Sequence, residues 1–174
     1  LGFSETEVHT GLRKVRWPGR CEELHVVSSQ GQVRVMLDVA HNAEGMGALA
    51  EELNQRVNGL RQIVFLVSML DRKDYKNSLE QLLNFKLSSG SKRHWICTSS
   101  GHSQARRPET LAAYLRGLGE QDVLVEENPE KALQSASELL SMGSLEEGLI
   151  VVLGSVFLVG KLRPLLTSQP ITTL

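Results

Sequence analysis

Two short runs constrain this chain more than any others: QIVFLV at 62–67 and LIVVL at 149–153, apolar at every position but the opening glutamine. A strand that is apolar throughout, rather than at alternate residues, has no face to turn toward water. It must lie inside a parallel sheet that helices cover on both sides. The intervening segments supply those helices. Met46, Leu49, Leu53 and Val57 recur at helical spacing, and so do Tyr75, Leu79, Leu82 and Leu83. Leu111, Tyr114, Leu115 and Leu118 follow behind a helix-opening Pro108 and are expected to face inward. Asn128-Pro129 opens another helix, with Ala132, Leu133, Ala136, Leu139 and Leu140 on one side, and GSVFLVGKL begins the last. HWICT (94–98) and DVLVEE (122–127) read as the remaining strands of this pattern.

The N-terminal part differs. EELHVVSS (22–29) and VRVMLD (33–38) are β-rich and separated by Gln30-Gly31, which predicts an antiparallel hairpin. Ahead of it, Ser4 and Glu7 stand at capping-box spacing, opening a short helix that closes on Gly11, and Pro18-Gly19 break regular structure. The expected fold is α/β: a doubly wound, mostly parallel sheet of about six strands, helices on both faces, and an antiparallel edge hairpin at the N-terminal side. Residues 1–20 form a lead-in helix and the WPGR loop, 21–166 the α/β domain, and 167–174 a tail. SSGSK (88–92) and SSGHSQARR (99–107) read as loops.

Charge and composition exclude several classes of function. A formal net charge of -1 offers nothing to nucleic acid or to an anionic membrane. The local cluster Arg13, Lys14, Arg16 and Arg20 is basic, and its first three members read as a solvated face. No apolar run approaches a membrane span. Cys21 and Cys97 form no CxxC pair, and His9, His25, His41, His94 and His102 are not at metal-ligand spacing. A reducing, cytoplasmic setting is expected, or a mitochondrial one in a eukaryote. LGFSETEVHT lacks the features of a signal peptide and an initiator Met, so a processed leader or a piece of a longer protein is expected. There is no GxGxxG and no GxxxxGK[ST], hence neither a dinucleotide fingerprint nor a P-loop.

The chemistry concentrates in VMLDVAHNAEG (35–45). Ligands of open parallel sheets bind outside the carboxyl ends of the strands. That rule brings Asp38, His41 and Asn42 to the ligand edge, together with Gly154-Ser155. Asp38 suits a ribose hydroxyl, and His41 an anionic group near the free N–H groups of the next helix. Ser155 offers a hydroxyl beside backbone donors. Singly, these residues read more readily as caps and turn formers with no ligand: Asp38 and Ser155 at helix starts, Asn42 in a turn.

WPGR (17–20), LDVAHN (37–42) and GSVFLVG (154–160), with DRKDY (71–75) between them, resemble the C-terminal domain of folylpolyglutamate synthases and dihydrofolate synthases. These belong to the Mur ligase superfamily, and the resemblance spans nearly the whole chain. It implies an ATP-dependent, ADP-forming ligase that adds L-glutamate to the carboxylate of folates or dihydropteroate through an acyl phosphate. It assigns Arg20 to ATP phosphates, Asp38 to the ribose with Asn42 beside it, His41 to the space between transferred phosphate and glutamate, and Ser155 to the glutamate carboxylate. Arg20 and His41 are thereby the catalytic candidates.

Two positions depart from the family pattern: Val39 replaces a usual glycine and Ala43 a usual proline. Valine disfavours φ > 0, so a turn that needs that conformation would be altered here. The family's P-loop, Mg²⁺ ligands and most of its folate site lie in a preceding ATPase domain. This chain would be half of an active site, inactive alone. A non-catalytic nucleotide- or protein-binding domain of the same descent is the alternative. Another amino-acid ligase of the superfamily is a further one, which WPGR disfavours. A phospho-acceptor role for Asp38 lacks its acidic pair, since FLVSML and WICTSS end neutral.

Overall fold

In a computed structural model the two apolar runs lie side by side in the middle of a six-stranded sheet. Residues 2, 4–15, 17–28, 31–56, 59–141 and 147–168 are described. β1 (Glu22–Ser28) and β2 (Gly31–Leu37) form the antiparallel hairpin, with Glu22 opposite Leu37. β3 (Gln62–Val67), β4 (Lys92–Cys97), β5 (Val123–Val125) and β6 (Gly148–Leu153) follow, in the spatial order β1-β2-β6-β3-β4-β5. Every pairing except β1 with β2 is parallel. The expected class and its edge hairpin are what the chain adopts.

The helices divide between the two faces as full burial of the strands requires. α2 (Ala43–Arg56), α3 (Tyr75–Leu83) and α4 (Pro108–Gly117) cover one face, where Phe65, Trp95 and Val151 point. α5 (Pro129–Ser141) and α6 (Val156–Thr167) cover the other, over Val64, Leu66, Ile150 and Val152. Successive β3 and β6 side chains alternate between these two cores, and every residue of β6 is buried. In the first core, Phe65 stacks on Trp95 at 4.6 Å between ring centroids, with Phe85 edge-on to Phe65 at 6.2 Å. The buried indole N–H of Trp95 donates to Glu120 at 2.7 Å, so the polar end of that ring is satisfied.

Local signals explain where helices begin. α1 (Glu5–Lys14) has the reciprocal cap read from its sequence: Ser4 N donates to Glu7 Oε2 (2.8 Å) and Glu7 N to Ser4 Oγ (3.3 Å). Asn128 caps α5 by accepting from Glu130 N and Lys131 N. Some expectations fail at element ends. Leu118 is 40% exposed rather than inward, because α4 ends at Gly117 and Leu118 is its C-cap, outside the helical stripe. Tyr114 is half-buried at the core margin. The strand expected over 122–127 forms ladder pairs only at Val123–Val125, and Leu124 and Val125 stay exposed, since β5 is an edge with a single neighbour. α6 continues through Pro164 to Thr167, past the expected limit of the domain. Gln30, Val57, Arg16, the side chains of Arg13 and Lys14, and the end of the tail (169–174) fall outside the described residues.

Two glycines of the GSVFLVG run make opposite predictions. Gly154 has φ 92°, and a Cβ there would overlap the Ser68 carbonyl oxygen. Gly160 sits inside α6 with nothing near a Cβ. Urea unfolding should be a single cooperative transition. Gly154→Ala should lower stability by more than about 3 kcal/mol through backbone strain plus overlap. Gly160→Ala should raise it by about 0.5–1 kcal/mol through helix propensity.

Candidate functional site

Neighbouring strands β2 and β6 send their helices to opposite faces: α2 joins the first core and α6 the second. Where two such connections diverge, the carboxyl ends of the strands leave a crevice, which is the general ligand position of this architecture. Asp38 follows β2 directly, and its N–H continues the ladder to Val152 O at 2.9 Å. Gly154 and Ser155 follow β6. The β6–β3 register (Leu153 beside Val67) puts Gly154 next to Ser68, whose carbonyl presses on it.

The WPGR turn closes over this crevice. Arg20 N donates to Trp17 O at 3.0 Å, and Pro18 with Gly19 at φ 73° form the corner, a type II pattern of residues. Gly19 O accepts from Val39 N at 2.9 Å. A Cβ on Gly19 would come within 3.1 Å of Val159 and 3.2 Å of Val39, so the turn rests on both the β2 exit and α6. The first two motifs, close in sequence, thus meet the third, more than a hundred residues further along the chain, at one place. Val39 itself has no positive φ; among the described non-glycine residues only Cys21 does, at 43°. The departure from glycine is therefore accommodated without strain, and the valine side chain contributes packing under Gly19.

Each candidate residue except Arg20 has a definite side-chain engagement. Asp38 is buried, and its carboxylate is held from within: Oδ2 accepts from Cys21 N (2.9 Å) and Cys21 Sγ (3.3 Å), and Oδ1 from Ala40 N (2.7 Å). An ionised carboxylate has about four acceptor positions, so roughly one remains for a ligand hydroxyl. Cys21 is the donor in its contact because burial, then the adjacent Asp38 charge, push its thiol up to about 12. His41 is half-buried, with Nδ1 2.8 Å from Val39 O. A carbonyl only accepts, so Nδ1 carries a proton, which leaves Nε2 free of this contact. Asn42 is the N-cap of α2: its Oδ1 accepts from Gly45 N at 2.9 Å, leaving the NH₂ group exposed. Ser155, 2% exposed, caps α6 by accepting from Phe157 N at 3.2 Å, and its hydroxyl proton remains to donate. Arg20 is exposed, with no ion-pair partner among the described residues.

The structure adds residues that the sequence did not mark. His102 lays its ring on Phe157 at 4.2 Å beside the mouth of α6, and its Nδ1 accepts from Gln104 N at 3.0 Å. Arg106 ties the two neighbouring loops together: its N–H donates to Met69 O at 2.7 Å, and its guanidinium lies 4.3 Å from the Tyr75 ring centre while donating to the Asp71 carbonyl. A loop rich in serine and glycine gave no signal for either role. The hollows of about 390 Å³ beneath the hairpin and about 470 Å³ near His94 lie away from this edge. The candidate site is an open rim instead. Among the described residues no cluster of three or more His, Cys, Asp or Glu side chains is placed to hold a metal ion, so no step is assigned to a metal here. No described helix is long and apolar enough to cross a membrane.

Comparison with known proteins agrees with this arrangement. Over 81 residues, 46% of the chain, the sequence is 40% identical to a dihydrofolate synthase/folylpolyglutamate synthase of Bacillus subtilis (strain 168), a match covering 17% of that protein. Mycobacterium tuberculosis folylpolyglutamate synthase, solved in complex with ADP and AMPPCP, superimposes with a TM-score of 0.75 at 28% identity, over 94% of this chain and 35% of that one. E. coli FolC in complex with DHPP and ADP shares the fold, with a TM-score of 0.72 at 21% identity over 97% of this chain and 36% of that one. The chain thus spans about a third of the length of these solved relatives. The profile of the Mur ligase, glutamate ligase domain, matches residues 19–156, most of the chain, and the chain belongs to that family.

Proposed function

We propose that this chain is the C-terminal domain of an ATP-dependent ligase that joins L-glutamate to the carboxylate of a folate or of dihydropteroate. The observation that carries this reading is the meeting of the WPGR turn, the Asp38–Asn42 turn and the Gly154–Ser155 turn at one divergent crevice, the second of them hydrogen-bonded to the first. The family is described as a glutamate ligase domain, and a solved relative at 28% identity was crystallised with ADP and AMPPCP. The rim is open because the remaining wall, with the P-loop, the Mg²⁺ ligands and most of the folate site, belongs to an upstream ATPase domain.

The reaction has two displacements. A substrate carboxylate oxygen attacks the γ-phosphorus of ATP, ADP leaves, and an acyl phosphate remains. The glutamate nitrogen then attacks the acyl carbon, phosphate leaves, and the amine gives up a proton as the amide forms. Arg20, whose guanidinium has no ion-pair partner among the described residues, meets the phosphate oxygens as charge shifts during the first displacement. The one free acceptor position of Asp38 takes a ribose hydroxyl, and the NH₂ of Asn42 donates on the same side. Ser155 donates its remaining proton to a glutamate carboxylate at the N-terminus of α6. His41, with Nδ1–H tied to Val39 O, presents Nε2 between phosphate and amine, where it accepts the proton the amine releases.

Two measurements test this. The isolated chain should bind ATP only weakly, with Kd of roughly millimolar or worse, because one arginine and one ribose contact scarcely offset the cost of immobilising a nucleotide. Micromolar binding by calorimetry would show a more complete site than the one assigned. In the full-length enzyme, Arg20→Ala should lower kcat by roughly 10²–10³ and depress acyl-phosphate formation even without glutamate. Ser155→Ala should chiefly raise the KM for glutamate, and His41→Ala should disturb both steps. A silent Arg20→Ala would leave the chain a non-catalytic binding domain; an effect of Ser155→Ala on ATP alone would remove the glutamate pocket from this turn.

A further inference from the structure

One ion pair outside the assigned residues joins the two parts of the site most distant in sequence. Arg163 of α6 forks onto Glu22: its Nε lies 2.9 Å from Oε2 and 3.2 Å from Oε1, and its Nη2 2.8 Å from Oε1. The same Oε2 accepts from Gly19 N at 2.8 Å. One carboxylate therefore holds the corner of the WPGR turn and the side of α6 together. Its charged form is favoured here: the Arg163 guanidinium, assisted by the Gly19 N–H, holds the Glu22 carboxyl below its usual range against the opposing effect of burial.

The spacing along α6 gives this contact a direction. Ser155, Val159 and Arg163 are four residues apart and share one helix face. Ser155 caps the helix, Val159 lies under Gly19, and Arg163 grips Glu22. The turn that carries Arg20 is thus fastened along the same stripe that begins at Ser155. We propose that Glu22 and Arg163 are positioning residues, whose ion pair fixes where the Arg20 guanidinium stands relative to the Ser155 hydroxyl. This rests on the roles given to Arg20 and Ser155 above. Partly exposed ion pairs add little to stability as a rule. Placement is different: a shift of about 1 Å in a reacting constellation costs up to roughly a hundredfold in rate.

The test uses Arg163→Gln, which removes the fork, and Arg163→Lys, which keeps a charge without the planar geometry. On this chain, Arg163→Gln should shift the Gly19 amide and Arg20 Nε–H NMR signals and speed hydrogen exchange at Gly19, while the urea midpoint stays that of a surface substitution. Unmoved signals would overturn the proposal whatever the enzyme does. In the full-length ligase, Arg163→Gln should lower kcat roughly tenfold or more with the KM for ATP little changed, and Arg163→Lys should recover part of it. Combined with Arg20→Ala it should add no further loss, because it acts through Arg20. Additive losses, or an unchanged kcat in Arg163→Gln where Arg20→Ala is impaired, would overturn it. A silent Arg20→Ala with shifted signals would instead remove the catalytic role of Arg20 and leave the structural clamp standing. Should Arg163→Gln fail to fold, Glu22→Gln replaces it: the amide oxygen still accepts from Gly19 N but the charge is gone, and the same shifts and kcat loss are required of it.

Discussion

The candidate site depends on β6 lying between β2 and β3. β6 is the last strand in the sequence and the most completely buried, and it lies between two strands that precede it in the chain. Having arrived there, it has no room to leave gradually. The turn at Gly154 runs against the Ser68 carbonyl, and only a residue without a side chain passes. That forced exit throws α6 onto the face opposite α2, and the divergence of the two helices opens the crevice. Ser155 reaches the rim because Gly154 bends there; Asp38 and His41 reach it because β2 stops one strand away at the same level.

Much of this was legible in the sequence, for physical reasons that differ from part to part. The fully apolar runs announced buried parallel strands because no other environment tolerates them. The caps at Ser4 and Asn128 were readable because donor and acceptor are three residues or fewer apart. The rim position of Asp38, His41, Asn42 and Ser155 followed from strand ends. What the sequence could not convey is partnership across distance. Glu22 and Arg163 stand 141 residues apart, and neither is unusual in its own neighbourhood. The engagement of Asp38 by Cys21 depends on a left-handed backbone conformation at a cysteine, which no local pattern predicts. The errors at Leu118 and 122–127 share one cause: a helix cap and a sheet edge carry apolar residues that periodicity alone counts as core.

The rim is also more rigid than its openness suggests. Asp38 is held at both oxygens, His41 at Nδ1, Asn42 at Oδ1 and Ser155 at Oγ, each by backbone of its own turn or the next. What remains for a ligand is the unengaged end of each group. Such pre-set donors and acceptors need little reordering when a ligand arrives.

The two tryptophans give the molecule an internal pair of lamps. Trp95 is wholly enclosed, its ring against Phe65 and its N–H on a carboxylate, whereas Trp17 stands 69% exposed at the corner of the WPGR turn. Their surroundings differ as oil differs from water, so their emission separates by colour. Light from the enclosed ring follows the integrity of the sheet; light from the exposed one responds to what settles on the rim. Approach of a neighbouring domain to Arg20 would change the second colour and leave the first alone, so docking and folding can be watched apart in an unlabelled chain.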